Sequence, residues 1–254
     1  MKHLTIVTVC VASLATGTAQ AGLIGINFFN DGYGGYGVLP DETAGAYAQA
    51  KWNNWDRQHS GLVEWSGTSW DAKDSETYID DAGKDTTLSV NWSMSNPTGA
   101  NETGTANGDQ RLLSGVCQMG GGADATGTVT LSSVPYGTYD IIVYLADVRR
   151  HATDDIISVT DGMTTKYLNQ GGFDDIHTES TATSEAAVIG EGTYVKFSGL
   201  TSSSASITVS NNGAGWKAGF AGLQIVSAQA VPEPMTLVLL GLGGVGALIR
   251  RRRA

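Results

Sequence analysis

The sequence predicts an all-β protein, an antiparallel β-sandwich arranged most simply as a jelly roll of about eight strands. Three observations lead there. In the second half of the chain, apolar and polar residues alternate with a period of two over short runs. Turn-forming groups, among them Pro135-Tyr136-Gly137, Asp161-Gly162 and Asn212-Gly213, separate those runs. No helical period persists for long, and 34 of the 254 residues are glycine, a poor helix former.

Taken in order, Leu23 to Phe29 alternates as an opening strand, and Asp31 to Gly37 is a Gly/Tyr-rich loop. Ala44 to Trp55 is the one stretch that can be helical, although Asn53-Asn54 weakens it. Leu62 to Trp65 and Leu88 to Met94 read as strands, and Asn96 to Gly108 as a long polar loop. Thr126 to Val134 places Val129 and Leu131 on one face. Thr138 to Ala146 has Tyr139, Ile141, Val143 and Leu145 on one face and further apolar groups on the other, as in a central strand covered on both sides. Ile156 to Thr160 and Met163 to Leu168 form a hairpin, with Asp161-Gly162 supplying the positive φ of a tight primed turn. Thr193 to Phe197, Ala205 to Val209 and Phe220 to Val226 complete the set.

The two ends differ from this body. Met1-Lys2-His3 is a short basic start, Leu4 to Ala15 is mostly apolar, and Ala19-Gln20-Ala21 has the small-x-small form of a signal peptidase site. A signal peptide over 1–21 therefore precedes a mature chain beginning at Gly22. Cys10 lies inside it, without the Leu and small residues of a lipoprotein box. At the other end, Pro232-Glu233-Pro234 cannot continue a helix or central strand, because each proline fixes φ and lacks an N–H. An uncharged apolar run of 15 residues, Met235 to Ile249, follows, and then Arg250, Arg251, Arg252 and Arg253. As a helix that run spans about 22 Å, against a hydrocarbon core of about 30 Å. It is a short membrane helix, suited to a transient stop, with the four arginines as its cytoplasmic anchor.

This tail, residues 231–254, resembles the PEP-CTERM sorting tail of exported bacterial proteins. The resemblance implies an exosortase as partner, cutting near Pro232, Glu233 and Pro234. It also implies an inner-membrane intermediate. The destination would be the cell surface, outer envelope or extracellular matrix of a Gram-negative-type bacterium.

The body, residues 22–230, carries 10 Lys or Arg against 24 Asp or Glu, a net charge of −14. So acidic a surface argues against nucleic acid and anionic lipid as partners and leaves calcium, basic partners and neutral sugars open. Cys117 is the only cysteine left after signal removal, so no disulfide within the mature chain is possible, and it reads as a buried structural thiol. Three further features, Ile24 to Phe28 with Ala48 to Trp55, Val134 to Asp140, and Ala218 to Val226, resemble the opening, middle and closing strands of galactose-binding-like sandwiches. What that resemblance implies is a fold, not a ligand.

Within the body, Trp52-Asn53-Asn54-Trp55 pairs indole faces, which stack on the C–H face of a sugar, with amides that bind its hydroxyls. Trp52, Asn54, Trp55 and Trp70 are therefore candidate ligand-binding residues. The competing reading is that each Trp fills the core. Asp80-Asp81, Asp154-Asp155 and Asp174-Asp175 could supply a structural calcium, but no Asp-x-Asp-x-Asp-Gly loop is present, and solvated loop charge is the plainer reading. His59, His151 and His177 stand in no zinc spacing, so no metal is assigned, and Arg149-Arg150-His151 could meet an anion. No Gly-x-Ser-x-Gly or phosphate-binding glycine loop occurs, and no cofactor is implied. The combined reading is an exported, non-catalytic surface or matrix protein associated with exopolysaccharide or biofilm. A stand-alone carbohydrate-binding module and a secreted glycan-active enzyme are the alternatives.

N-terminal sequencing of the exported protein is expected to start at Gly22, the residue after the first Ala-x-Ala that follows the apolar run. Retention of Met1 or Lys2 would end the export argument.

Overall fold

A computed structural model describes residues 22–29, 37–56, 63–65, 70–73, 77–94, 97–100, 107–114, 116–119, 125–146, 156–170, 176–211 and 219–228. Gly22–Gln229 is one compact unit. The segments expected as signal peptide and as sorting tail with a membrane helix, the Asp31 loop, Arg57, His59, Arg149 to Asp155, Asp174-Asp175 and Trp216 lie outside the described residues.

Two sheets pack face to face. The first has the order β13 (Tyr194–Leu200), β9 (Tyr139–Leu145), β15 (Gly219–Ser227), β1 (Leu23–Phe29) and β2 (Asn53–Asp56). A short ribbon, β6 (Pro97–Ala100) on β7 (Val116–Met119), joins it where β7 pairs with Gly219 and Phe220. The second sheet runs β12 (Glu191–Gly192), β11 (Thr165–Gln170), β10 (Ile156–Thr160), β14 (Ala205–Ser210), β8 (Thr126–Ser132), β5 (Ser89–Met94), β4 (Trp70–Lys73) and β3 (Val63–Trp65). All pairings are antiparallel except β1 with β2 and β11 with β12. The described residues thus hold fifteen strands rather than about eight. Most of the excess is in strands of two to four residues, too short to carry a readable alternation.

The core lies between the sheets. Ile24, Ile26 and Phe28 of β1, Ile141, Val143 and Leu145 of β9, and Leu223 and Ile225 of β15 face Val90 and Trp92 of β5, Val129 and Leu131 of β8, and Ile207 and Val209 of β14. On β8 burial alternates along the strand, so its other face carries Thr and Ser. There Thr128 and Thr208 join hydroxyls across the register at 2.9 Å. The first sheet is different, because both of its faces are covered. Ile142 and Tyr144 of β9 and Ala221 and Val226 of β15 pack outward against Val38, Ala44, Trp52, Leu112 and Leu113. The expectation of a doubly covered central strand therefore holds for β9. A bulge between Phe220 and Gly222 shifts the alternation, so that Phe220 and Leu223, three positions apart, both point inward.

The hairpin of β10 and β11 forms as the Asp-Gly pair suggests. Thr160 pairs with Thr165, and the positive φ falls on Gly162 alone, at 86°. A glycine with positive φ at the first central position is the II′ arrangement. Asp161 Oδ1 closes the turn by accepting from the N–H groups of Met163 and Thr164 at 2.9 and 2.7 Å.

Two expectations are corrected. Ala44 to Trp55 is not helical. Ala44 and Gln49 exchange two backbone hydrogen bonds at 3.0 Å across a tight loop, and Asn53–Asp56 then runs parallel to β1. The reason lies in the two tryptophans. Residues three apart share a face of a helix but point to opposite faces of extended chain. Trp52 is needed in the outer cluster and Trp55 in the inner core, which only the extended form provides. The Asn53 amide secures it, donating to the carbonyls of Gly25 and Ile79 at 2.9 Å while its oxygen accepts from Ile79 N–H at 2.9 Å. The segment Asn96 to Gly108, expected as loop, contains β6, and Gly108 opens a short helix, α1 (Gly108–Ser114).

Trp55 packs edge-on against Trp92 with ring centroids at 4.8 Å and tilts against Phe28 at 6.0 Å. Trp55→Ala is expected to destabilise the body by about 3–5 kcal/mol, through the lost indole and the cavity left between the sheets. Denaturant unfolding measures it, and a loss under about 1 kcal/mol would mean that this ring is not a core element.

Candidate functional site

The outer face of the first sheet carries an unusual concentration of buried polar groups. Gln224 of β15 sits there fully buried. Its Oε1 accepts from the Tyr144 hydroxyl at 2.8 Å and from Tyr47 N–H at 3.4 Å. Its Nε2 donates to the Tyr47 carbonyl at 2.6 Å and to Gln49 Oε1 at 3.0 Å. Both donors and both acceptor sites of the amide are thereby used. The Tyr144 oxygen in turn accepts from Ala46 N–H at 2.7 Å. Burial pushes the Tyr144 phenol well above its usual range, so it remains a neutral donor.

The loop of residues 44–49 is what these bonds hold. Gly45 makes its close approach possible. Its φ is +95°, and a Cβ there would meet the Trp52 ring at 2.9 Å, Tyr144 Oη at 3.0 Å and Gln224 Oε1 at 3.1 Å. Trp52 lies beneath the loop, its indole N–H bonded to Gln49 O at 3.0 Å and its ring edge-on to Tyr144 at 6.0 Å.

Two further segments meet the loop. Helix α1 starts at an Asn107 cap, whose Oδ1 accepts from Gln110 N–H at 2.9 Å. It carries Asp109, whose Oδ1 accepts from Gly45 N–H at 2.8 Å and lies 2.7 Å from His177 Nε2. Arg111 on the same helix pairs with Glu42 at 2.9 Å. The segment 176–180 brings in His177 and is fixed to β13 by Thr178 N–H on Thr193 Oγ1 at 2.8 Å and Ser180 N–H on Tyr194 O at 2.9 Å. Burial raises the Asp109 pKa, but the hydrogen bonds from His177 and Gly45 and the His177 charge outweigh it, and the carboxyl sits below its usual range. An ionised Asp109 only accepts, so His177 Nε2 carries the proton. His177 Nδ1 is buried and has no partner among the described residues. The pair ties the helix segment to the segment of residues 176–180.

The sequence-derived candidates fall out as follows. Trp52 and Trp55 are each only 5 % exposed, so neither offers a ring face to a sugar, and the platform expectation is corrected for both. They are buried because the first sheet has apolar matter on both sides. Asn54 is exposed and donates to Val38 O at 2.7 Å, a loop-fixing bond. Trp70 is in β4 opposite Trp65 and Met94, and its side chain lies outside the described ones. Asp80 and Asp81 serve the backbone. Asp80 Oδ1 accepts from Ala82 and Lys84 N–H at 3.0 and 2.8 Å, and Asp81 Oδ1 accepts from Leu23 N–H at 3.3 Å. Among the described residues no three of His, Cys, Asp and Glu gather as a metal-ligand set. The His177–Asp109 pair was not legible in sequence, since 68 positions separate its members. The Asn107 cap followed by Gln110 was a local signal for the helix that presents Asp109.

The PEP-CTERM protein-sorting motif matches residues 230–253. A motif of this class marks a protein that is exported, passes through the membrane and is sorted by an exosortase system. No curated protein matches the chain as a relative.

Because the Asp109 pKa is depressed by folding, its contribution is complete above the unfolded value near 4 and is lost as pH falls through the folded one. Asp109→Asn is expected to cost about 1–2 kcal/mol at neutral pH, partial exposure allowed for. The gap between parent and variant should close in acid. Chemical denaturation over a pH series descending from neutral reads it, and a gap that does not narrow as the pH falls below the ordinary carboxylate range would assign the effect to packing rather than charge.

Proposed function

We propose that the protein is an exported, non-catalytic component of the cell surface or extracellular matrix, associated with exopolysaccharide or biofilm and working without a cofactor. The observation that carries this reading is the sorting motif over residues 230–253 behind a strongly acidic β-sandwich. Signal peptidase removes residues 1–21, and exosortase then acts near Pro232, Glu233 and Pro234. Residues 235–249 hold that tripeptide at the membrane face and Arg250 to Arg253 stop transfer. The acidic body suits a partner that is neutral or basic rather than anionic. A galactose-binding-like jelly roll is part of the same proposal. What supports it is the antiparallel sandwich, the opening strand paired with the closing one, and the turn of Val134 to Gly137 leading into β9.

Replacing Pro232-Glu233-Pro234 by alanines is expected to leave an unprocessed form in the membrane fraction. Replacing the four arginines by serine is expected to weaken the stop, since the short apolar run alone supplies little insertion energy. The processed parent is expected to co-fractionate with extracellular polysaccharide. If both variants are processed and released like the parent, the tail is only a hydrophobic terminus. If the parent never accompanies polysaccharide, the matrix reading falls.

A further inference from the structure

We propose that the surface formed by Tyr47, Tyr194 and Glu179 is a saccharide-binding site for glycans that carry free amino groups. The inference deepens the exopolysaccharide reading and rests on it.

Three observations carry it. First, Tyr47, 40 % exposed, is the one exposed aromatic side chain among the described residues. Its ring is in water while its backbone is gripped on both sides by a single buried amide, with N–H and C=O both on Gln224. Neighbouring Ala46 is held by Tyr144 and Gly45 by Asp109. A fully buried glutamine and tyrosine in the middle of a sheet are thus committed to fixing a loop tip that displays one aromatic ring. Tyr rings lose little side-chain entropy on binding, and a loop fixed beforehand has little left to order.

Second, the ring is not isolated. Tyr194 stands on β13 opposite Tyr144, with ring centroids 5.9 Å apart and the planes at 47°. The loop tip reaches it through shared partners: Tyr47 N–H and the Tyr144 hydroxyl both bond Gln224 Oε1, and the Tyr144 ring lies against Tyr194. Burial and then the Glu179 carboxylate raise the Tyr194 phenol above its ordinary value. It donates to Glu179 Oε2 at 3.5 Å. Glu179 is itself exposed and held by the bridge between its backbone and Tyr194. Aromatic surface for the C–H face of a pyranose and a carboxylate for a polar substituent therefore lie side by side.

Third, the charge selects the substituent. Glu179 and a body of net charge −14 attract ammonium groups and repel uronates and sulfates. An ammonium beside tyrosine rings also gains from their negative faces.

The test is calorimetric titration of the exported protein with glucosamine oligomers, with N-acetylated oligomers and oligouronates as comparisons. The expected result is binding of the glucosamine oligomers that weakens as salt is added, with weaker binding of the acetylated form and none of the uronate. Tyr47→Ala is expected to reduce affinity about tenfold, and Tyr47→Phe to keep it. Glu179→Gln is expected to lower affinity and to weaken its salt dependence. All three substitutions, at two positions, lie at the surface and should melt with the parent. Parent-like binding by both Tyr47→Ala and Glu179→Gln would overturn the site, as would a preference for oligouronate or no binding of glucosamine oligomers at all. Each of these can occur while the protein still co-fractionates with its cell's polysaccharide, so failure of the site and failure of the matrix reading are told apart.

Discussion

The arrangement of the outer layer depends on one buried side chain, Gln224. An uncharged amide in the middle of an apolar sheet costs several kcal/mol unless its hydrogen-bonding groups are met. Here they are met by Tyr144, Gln49 and both backbone groups of Tyr47. Satisfying the amide therefore dictates where the loop of residues 44–49 must lie. That loop in turn seats Trp52, presents Gly45 to Asp109, and so fixes α1 and, through His177, the segment leading to β13. A polar group that looks like a liability in sequence becomes the register mark for three segments far apart in the chain. The same network is not fully closed, since Gln49 Nε2 and Asn27 Oδ1 are buried without partners among the described residues.

The fold was legible wherever one strand face is dry and the other wet. Strand β8 alternates along its length, and the Thr126 to Val134 reading follows directly. It was also legible in β9, where apolar residues on both faces announce a strand between two layers. The failures have a common cause. Around Trp52 and Trp55 the alternation is carried by only two large residues, and a spacing of three is compatible with helix or with two-sided extended chain. Which of them applies is decided by the existence of an outer layer, and that is a tertiary fact. For the same reason, tryptophans next to asparagines resembled a ligand surface although both rings close core clusters.

The recognition surface was less legible still. Tyr47, Tyr194 and Glu179 lie in three separate stretches, and no local pattern connects them. What brings them together is the pairing of β13 with β9 and the seating of a loop on Gln224, neither of which leaves a mark at the residues concerned. The sorting tail is the opposite case. Its chemistry is linear, a rigid tripeptide, an apolar run and a cluster of charge, so it can be read without a fold.

The first and last strands of the body are neighbours, with Leu23 opposite Val226 and Ser227 N–H bonded to the Gly22 carbonyl at 2.9 Å. This has a mechanical consequence. Tension applied through the C-terminus enters the body along β15, which is not an edge strand but the nine-residue strand bonded to β9 on one side and to β1 and β7 on the other. Pulling it out along its axis must shear ladders on both flanks together, rather than peel bonds one at a time as at an exposed edge. A protein tethered by its C-terminal end would therefore carry load through its most firmly held strand.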